Sequence, residues 1–156
     1  MTQVRNVLMR YVVIALAAVL ACSGVASAQD ARAAQQVKLR QSAFTVLGAQ
    51  MGLMGAMASG RAPYDANAFR VAAERGAFMA TYVPELFPSG SITSSSKAKA
   101  ELWQQSADFQ RLMRDLQSKT AALATAARGS DLEAIKPAFA AAGASCKACH
   151  DKYKAD

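Results

Sequence analysis

Histidine occurs once in this chain, at position 150, and that scarcity removes whole classes of chemistry. A structural zinc site needs four nitrogen or sulfur donors. Three cysteines and one histidine would have to supply them, and Cys22 lies in a segment that reads as removable. General acid–base catalysis most often uses an imidazole, and once His150 is committed elsewhere no second one remains. Beyond residue 28 β-branched residues are thinly scattered, so no stretch there reads as a strand. The net charge of +7 comes without a basic block or interleaved aromatics, which excludes a nucleic-acid-binding reading. The longest apolar run, Tyr11 to Ala21, is too short to span a bilayer and has no stop-transfer flank.

What that run does have is Arg5 and Arg10 before it and Ala26, Ser27 and Ala28 after it, the layout of a cleaved secretory signal over residues 1–28. Export to the periplasm is the expectation. Cleavage at the alternative lipoprotein-like box Val19–Cys22 would instead lipidate Cys22. Loss of residues 1–28 leaves 128 residues of the 156, one domain at 29–156 with 16 basic and 11 acidic side chains. The remaining excess suits docking to an acidic redox partner.

Those residues are rich in Ala, Leu, Met, Gln, Lys and Arg, all good helix formers. The spacing predicts a helix from Ala31 to Ser59, ended by Gly60, and a second from Pro63 or Asp65 to Val83, stopped by Pro84. A loop over Pro84 to Ser96 follows, then a third helix from Lys97 or Ala100 to Gly129. A fourth opens at Ser130 or Asp131, with a kink or a delayed start at Pro137. Short connections make sequence neighbours antiparallel, so the fold class is all-α, an up-down-up-down four-helix bundle.

The fourth helix ends in Cys146, Lys147, Ala148, Cys149 and His150. Two thiols three apart and an imidazole one residue further occupy roughly a 100° arc of a helix. C-x-x-C-H reads as covalent haem attachment, with two thioether bonds from the cysteines and His150 on the iron. A thioredoxin-type dithiol expects a strand before it and a helix after it, and here the motif closes a helical stretch. Gly143, one turn earlier, marks either a porphyrin edge or close helix packing.

The mature sequence resembles class II c-type cytochromes, cytochrome c prime above all, over its whole length. The resemblance rests on Lys38–Leu39–Arg40–Gln41, on Glu101–Leu102–Trp103 with Phe109 beyond, on Gly143, and on Cys146 to His150 followed by Tyr153 and Lys154. It implies one covalent haem c on Cys146 and Cys149 with His150 as the proximal iron ligand. It implies Arg40 and Gln41 at the haem and its propionates, Lys154 near the proximal pocket, Ser95 or Ser96 beside the haem, and Phe44 over the iron's distal face. On spacing alone Arg40 fits a solvated face and Phe44 ordinary core, and Trp103 reads as bundle core near the haem.

The function the resemblance implies is a five-coordinate iron that binds NO and CO and exchanges electrons, without enzymatic activity. The alternative is a low-spin electron carrier with a methionine as sixth ligand. A homodimer through helices one and two is expected from the family and from Met51, Met54 and Met57, which exceed what one haem-facing stripe needs.

Overall fold

The computed structural model describes residues 28–155 in full and residues 2–27 by backbone alone. The side chains of the expected signal, Cys22 among them, lie outside the described residues. Among the described residues no helix is long and apolar enough to cross a membrane.

The expected helices form, with instructive departures. The first, α1 (Thr2–Ala58), runs through the expected start at Ala31 without a break. It ends where Gly60 adopts a φ of 75°, a conformation that costs glycine no Cβ clash. Asp65 caps α2 (Ala66–Tyr82), its side chain accepting from the Ala68 N–H at 2.9 Å. Pro84 does not end helical geometry outright. It sits in the first turn of a 3₁₀ segment, Val83–Leu86, where its missing N–H costs nothing.

The expected third helix is two pieces, α3 (Glu101–Gln104) and α4 (Ser106–Ala126), divided at Gln105 with φ −106° and ψ 43°. Tertiary ties account for the break. Just before α3, the Lys99 N–H donates to the Tyr153 carbonyl at 2.9 Å and the Ala155 N–H to the Lys97 carbonyl at 2.8 Å, and the Tyr153 hydroxyl, whose proton goes to Asp108 at 2.8 Å, lies 3.3 Å from the Gln105 side chain. These contacts override local helix propensity.

The last helix, α5 (Leu132–Tyr153), starts on time despite Pro137, with Asp131 as its N-cap. No delayed start occurs. The carbonyl of Glu133 that Pro137 deprives of a partner belongs to an exposed residue, and Pro137 is itself exposed, so water can satisfy it.

Packing pairs α1 with α2, α2 with α4, α4 with α5 and α5 with α1, which closes four long helices into the expected up-down-up-down bundle. The core has two parts. One holds Met54, Met57, Phe69, Leu123 and Ile135. The other holds Leu86, Leu102, Phe109, Met113 and Tyr153, with Phe44, Phe87 and Cys149 packed against it. Burying side chains of this size contributes about 1.5–3 kcal/mol each. Met54 and Met57 are thus core and Met51 packs on that core, so the methionines are not the surface surplus the sequence implied. The large exposed apolar residues of these two helices are instead Leu39, Val46 and Leu53 on α1 and Phe78 and Tyr82 on α2, with Ile92 exposed in the loop.

Candidate functional site

Helix α5 brings Cys146, Cys149 and His150 together over little more than one turn, near its C-terminal end. Both thiols are half-buried and unbridged. Cys149 and His150 open into a cavity of about 350 Å³ whose opposite wall is α1, through Arg40, Gln41 and Phe44. That size falls within the range of cofactor clefts. A Cβ added at Gly143 would meet nothing within 4 Å, so close helix packing does not explain this glycine.

Aromatic rings line the cavity in an unbroken series. His150 meets Phe44 at 6.2 Å between centroids, Phe44 meets Phe87 at 6.2 Å, Phe87 meets Phe109 at 4.9 Å, and Phe109 meets Tyr153 at 5.6 Å, each edge to face. Such contacts hold the rings by more than their buried area. Phe44 is therefore a wall of the cavity and not generic core. Phe87 was the residue sequence reasoning missed. Its signal was an aromatic between two prolines in a stretch otherwise made of turn residues. Trp103 packs behind this wall and donates its indole N–H to the Phe87 carbonyl at 3.2 Å, as bundle core.

Arg40 is 4% exposed, which rejects a solvated face. Its guanidinium donates to the Leu86 carbonyl at 3.2 Å, the Ser91 hydroxyl at 3.2 Å, the Ser91 carbonyl at 2.9 Å and the Ser96 hydroxyl at 3.1 Å. It also stacks 4.6 Å above the Phe87 ring. Four of its five N–H groups are thereby spent on the end of the 3₁₀ turn and the loop after it. Gln41 donates to the Ser95 carbonyl at 2.9 Å. Ser95 stands outside the cavity lining, with its hydroxyl paired to Thr93. Lys154 lines the cavity beside Lys97, and its N–H caps α5 on the His150 carbonyl at 3.0 Å.

Burial pushes the Cys149 thiol up to about 11, helped by neighbouring Cys146, and burial raises Cys146 as well. A dithiol built for exchange needs the opposite shift. Burial, and then the Lys154 ammonium, push the His150 imidazole below its usual range although part of the ring stays exposed. At neutral pH the ring is uncharged and its lone pair is available to a metal. Among the described residues no cluster of three or more His, Cys, Asp or Glu is arranged to hold a metal ion.

The family described as Cytochrome C' matches residues 35–154. The chain belongs to the cytochrome c prime family. It is 35% identical to cytochrome c' of Alcaligenes xylosoxydans xylosoxydans over 81% of this chain and 98% of that protein. It is 34% identical to a cytochrome c-554 of Cereibacter sphaeroides over 83% and 87%. Among solved structures, cytochrome c prime from Shewanella frigidimarina superposes with a TM-score of 0.77 at 43% identity, over 80% of this chain and 97% of that one. A nitric oxide complex of a cytochrome c prime variant from Alcaligenes xylosoxidans superposes at 0.74 with 33% identity, over 80% and 97%.

Cytochromes c prime are four-helix bundles with covalently attached haem c. The residues present fit that group. Two unbridged thiols and a neutral imidazole stand in one arc of α5, the cavity beside them is walled by hydrocarbon rings, and Lys97 and Lys154 supply cations for propionates.

Proposed function

We propose that this chain is an exported mono-haem cytochrome that leaves one face of its iron without a protein ligand, binds nitric oxide and carbon monoxide there, and exchanges single electrons. The observation that carries this reading is Phe44, a hydrocarbon with no lone pair, whose ring meets that of His150 edge to face at 6.2 Å between centroids. Haem c supplies the one-electron couple and the gas-binding iron. Cys146 and Cys149 fasten it, and His150 offers its neutral ring as the axial donor.

Phe44 excludes water and gives no hydrogen bond to a bound gas, which disfavours dioxygen carriage. Arg40 holds the loop that forms one wall, Gln41 fixes that loop at Ser95, and Lys154 adds positive charge at the rim. With His150 on the iron no second imidazole is left for acid–base catalysis, so the protein is a carrier and binder and not an enzyme. A relative's nitric oxide complex supports the gas ligand.

In this reading residues 1–28 are an export signal removed in the periplasm, residues 29–156 are the haem domain, and the redox partner is acidic. Two copies pair through α1 and α2, whose exposed Leu39, Val46, Leu53, Phe78 and Tyr82 replace the methionines as the apolar face. The low-spin alternative keeps one candidate, because among the described residues Met113 is the one methionine that lines the cavity. Optical spectra of the ferric and ferrous protein test the proposal. Broad high-spin bands that shift on adding carbon monoxide are expected, and sharp split ferrous bands indifferent to the gas would overturn it.

A further inference from the structure

A second cavity, of about 440 Å³, lies between the 3₁₀ turn, α3 and α4, and no role described so far uses it. Its mouth carries Ser106, Gln110 and Arg114, all exposed, and its floor is apolar. Four floor residues, Phe87, Leu102, Phe109 and Met113, also line the haem cavity. The partition between the two spaces is therefore one side chain thick.

The partition is not uniformly rigid. Phe109 is held by ring contacts at 4.9 and 5.6 Å, and Phe87 by those at 4.9 and 6.2 Å together with the Arg40 stack. Leu102 is buried at 2% exposure in the core. Met113 is buried as well, at 4% exposure, but its unbranched thioether chain has three rotatable bonds and adapts to its surroundings where a ring or a branched chain does not. Beyond it, Phe87 leads edge-on to Phe44.

We propose that this cavity is the entry chamber for diatomic gases, which pass from it beside Met113 and Phe87 to the Phe44 side of the site. The inference rests on the gas-binding reading above. Cys149 and His150 hold the haem in the first cavity, so a gas needs another way in, whose mouth the macrocycle does not fill. Small, nearly apolar molecules gain by leaving water for such a floor. Apolar protein cavities take up xenon for the same reason.

The test uses the holoprotein. Ser106→Trp and Gln110→Trp, both at exposed positions on the mouth of the chamber, should each slow carbon monoxide association by about tenfold, equal to about 1.4 kcal/mol of added barrier. Escape should slow by the same factor, because blocking a passage changes a barrier and not an equilibrium, so Kd and the ferrous spectrum stay native. Crystals under xenon pressure should show xenon against Trp103 and Met113. Native rates in both variants, or a chamber without xenon, overturn the route and leave gas binding intact. A wild-type protein that takes up no carbon monoxide overturns the gas-binding reading and the route with it.

Discussion

The rings of Phe44 and His150 meet edge to face, 67° apart in plane and 6.2 Å between centroids, although one lies on the first helix and the other on the last. Nothing local connects them. The site exists only when α1 closes against α5, the contact that completes the ring of helices. The site thus depends on the contact between elements farthest apart in the chain, whose closure carries the largest loop entropy. A group fastened to α5 and walled by α1 would then tie the bundle's two ends together. Anything bound only by the native state stabilises it.

Covalent attachment gives the first prediction. Denaturing mass spectrometry of the protein exported by a host with haem-attachment machinery should show the chain from Gln29 plus one haem. Cys146→Ala or Cys149→Ala should retain haem through a single thioether and unfold at lower denaturant concentration. A mature chain carrying no added haem mass would remove the central assignment.

Arg40 supplies the second. Its Nη atoms satisfy two loop carbonyls and two serine hydroxyls while 4% exposed. Arg40→Met keeps much of the volume but strands the buried acceptors, at a cost of about 3 kcal/mol or more. Chemical denaturation should show that loss. Lysine cannot reproduce the planar fork, so Arg40→Lys should recover only a minor part of it.

Much of this site was legible because its chemistry is local in sequence. Cys146, Cys149 and His150 span little more than one helical turn, so periodicity puts them on one face, whereas Arg40, Gln41 and Phe44 came from the resemblance, since spacing alone left Arg40 on a solvated face and Phe44 in ordinary core. Bundle topology followed from four periodic segments and short links. What could not be read was set by contacts across the chain. The break at Gln105 comes from ties to Tyr153 and Ala155, the burial of Met54 and Met57 from how α1 and α2 face each other, and the place of Phe87 from a loop that Arg40 pulls inward. Pro137 does not delay the start of α5, because the carbonyl it leaves unpaired is open to solvent.

Acid sensitivity is the third prediction. Asp108 on α4 accepts from Lys152 at 2.7 Å, from Arg111 at 2.7 Å and from the Tyr153 hydroxyl at 2.8 Å. The Lys152 bond first, then those of Arg111 and Tyr153, hold its carboxyl well below the usual range. A depressed carboxylate stabilises the folded state above its unfolded pKa, about 4, and that contribution fades as pH falls toward the folded value. Asp108→Asn should therefore lower stability at pH 7 and flatten its decline between about pH 5 and 2. Urea midpoints across that range decide it. Parallel curves for the two proteins would show that the carboxylate contributes nothing.

Dimerisation is the fourth. Leu39, Val46 and Leu53 recur every seven residues on α1 and are 39–47% exposed, while Phe78 on α2 is 70% exposed. A seven-residue apolar repeat is the pattern by which one helix packs along another. A twofold pair would let each stripe cover its copy. Sedimentation at micromolar concentration should give a dimer for the wild type and a monomer for Val46→Glu, with an unchanged haem spectrum. A wild-type monomer rejects the pairing.

The fifth prediction separates gas binding from electron carriage by asking what stands over the iron. Two side chains compete for that role. Phe44 faces His150 directly and can shield a metal without bonding to it. Among the described residues Met113 carries the one thioether on the cavity wall, while Met51, Met54 and Met57 pack in the other half of the core and Met79 packs on Phe44's half without lining the cavity. If Phe44 is the cover, Phe44→Ala should speed carbon monoxide association by about tenfold, the effect of removing about 1.4 kcal/mol of barrier. Met113→Leu, close in volume but without sulfur, should leave the spin state untouched. If Met113 is the ligand, the wild-type ferrous spectrum is low-spin, Met113→Leu abolishes it, and Phe44→Ala changes gas uptake little because the iron–sulfur bond must still break. Room-temperature spectra and stopped-flow mixing with carbon monoxide on these two variants assign the iron's sixth position, and with it the choice between a gas-binding protein and a dedicated electron carrier.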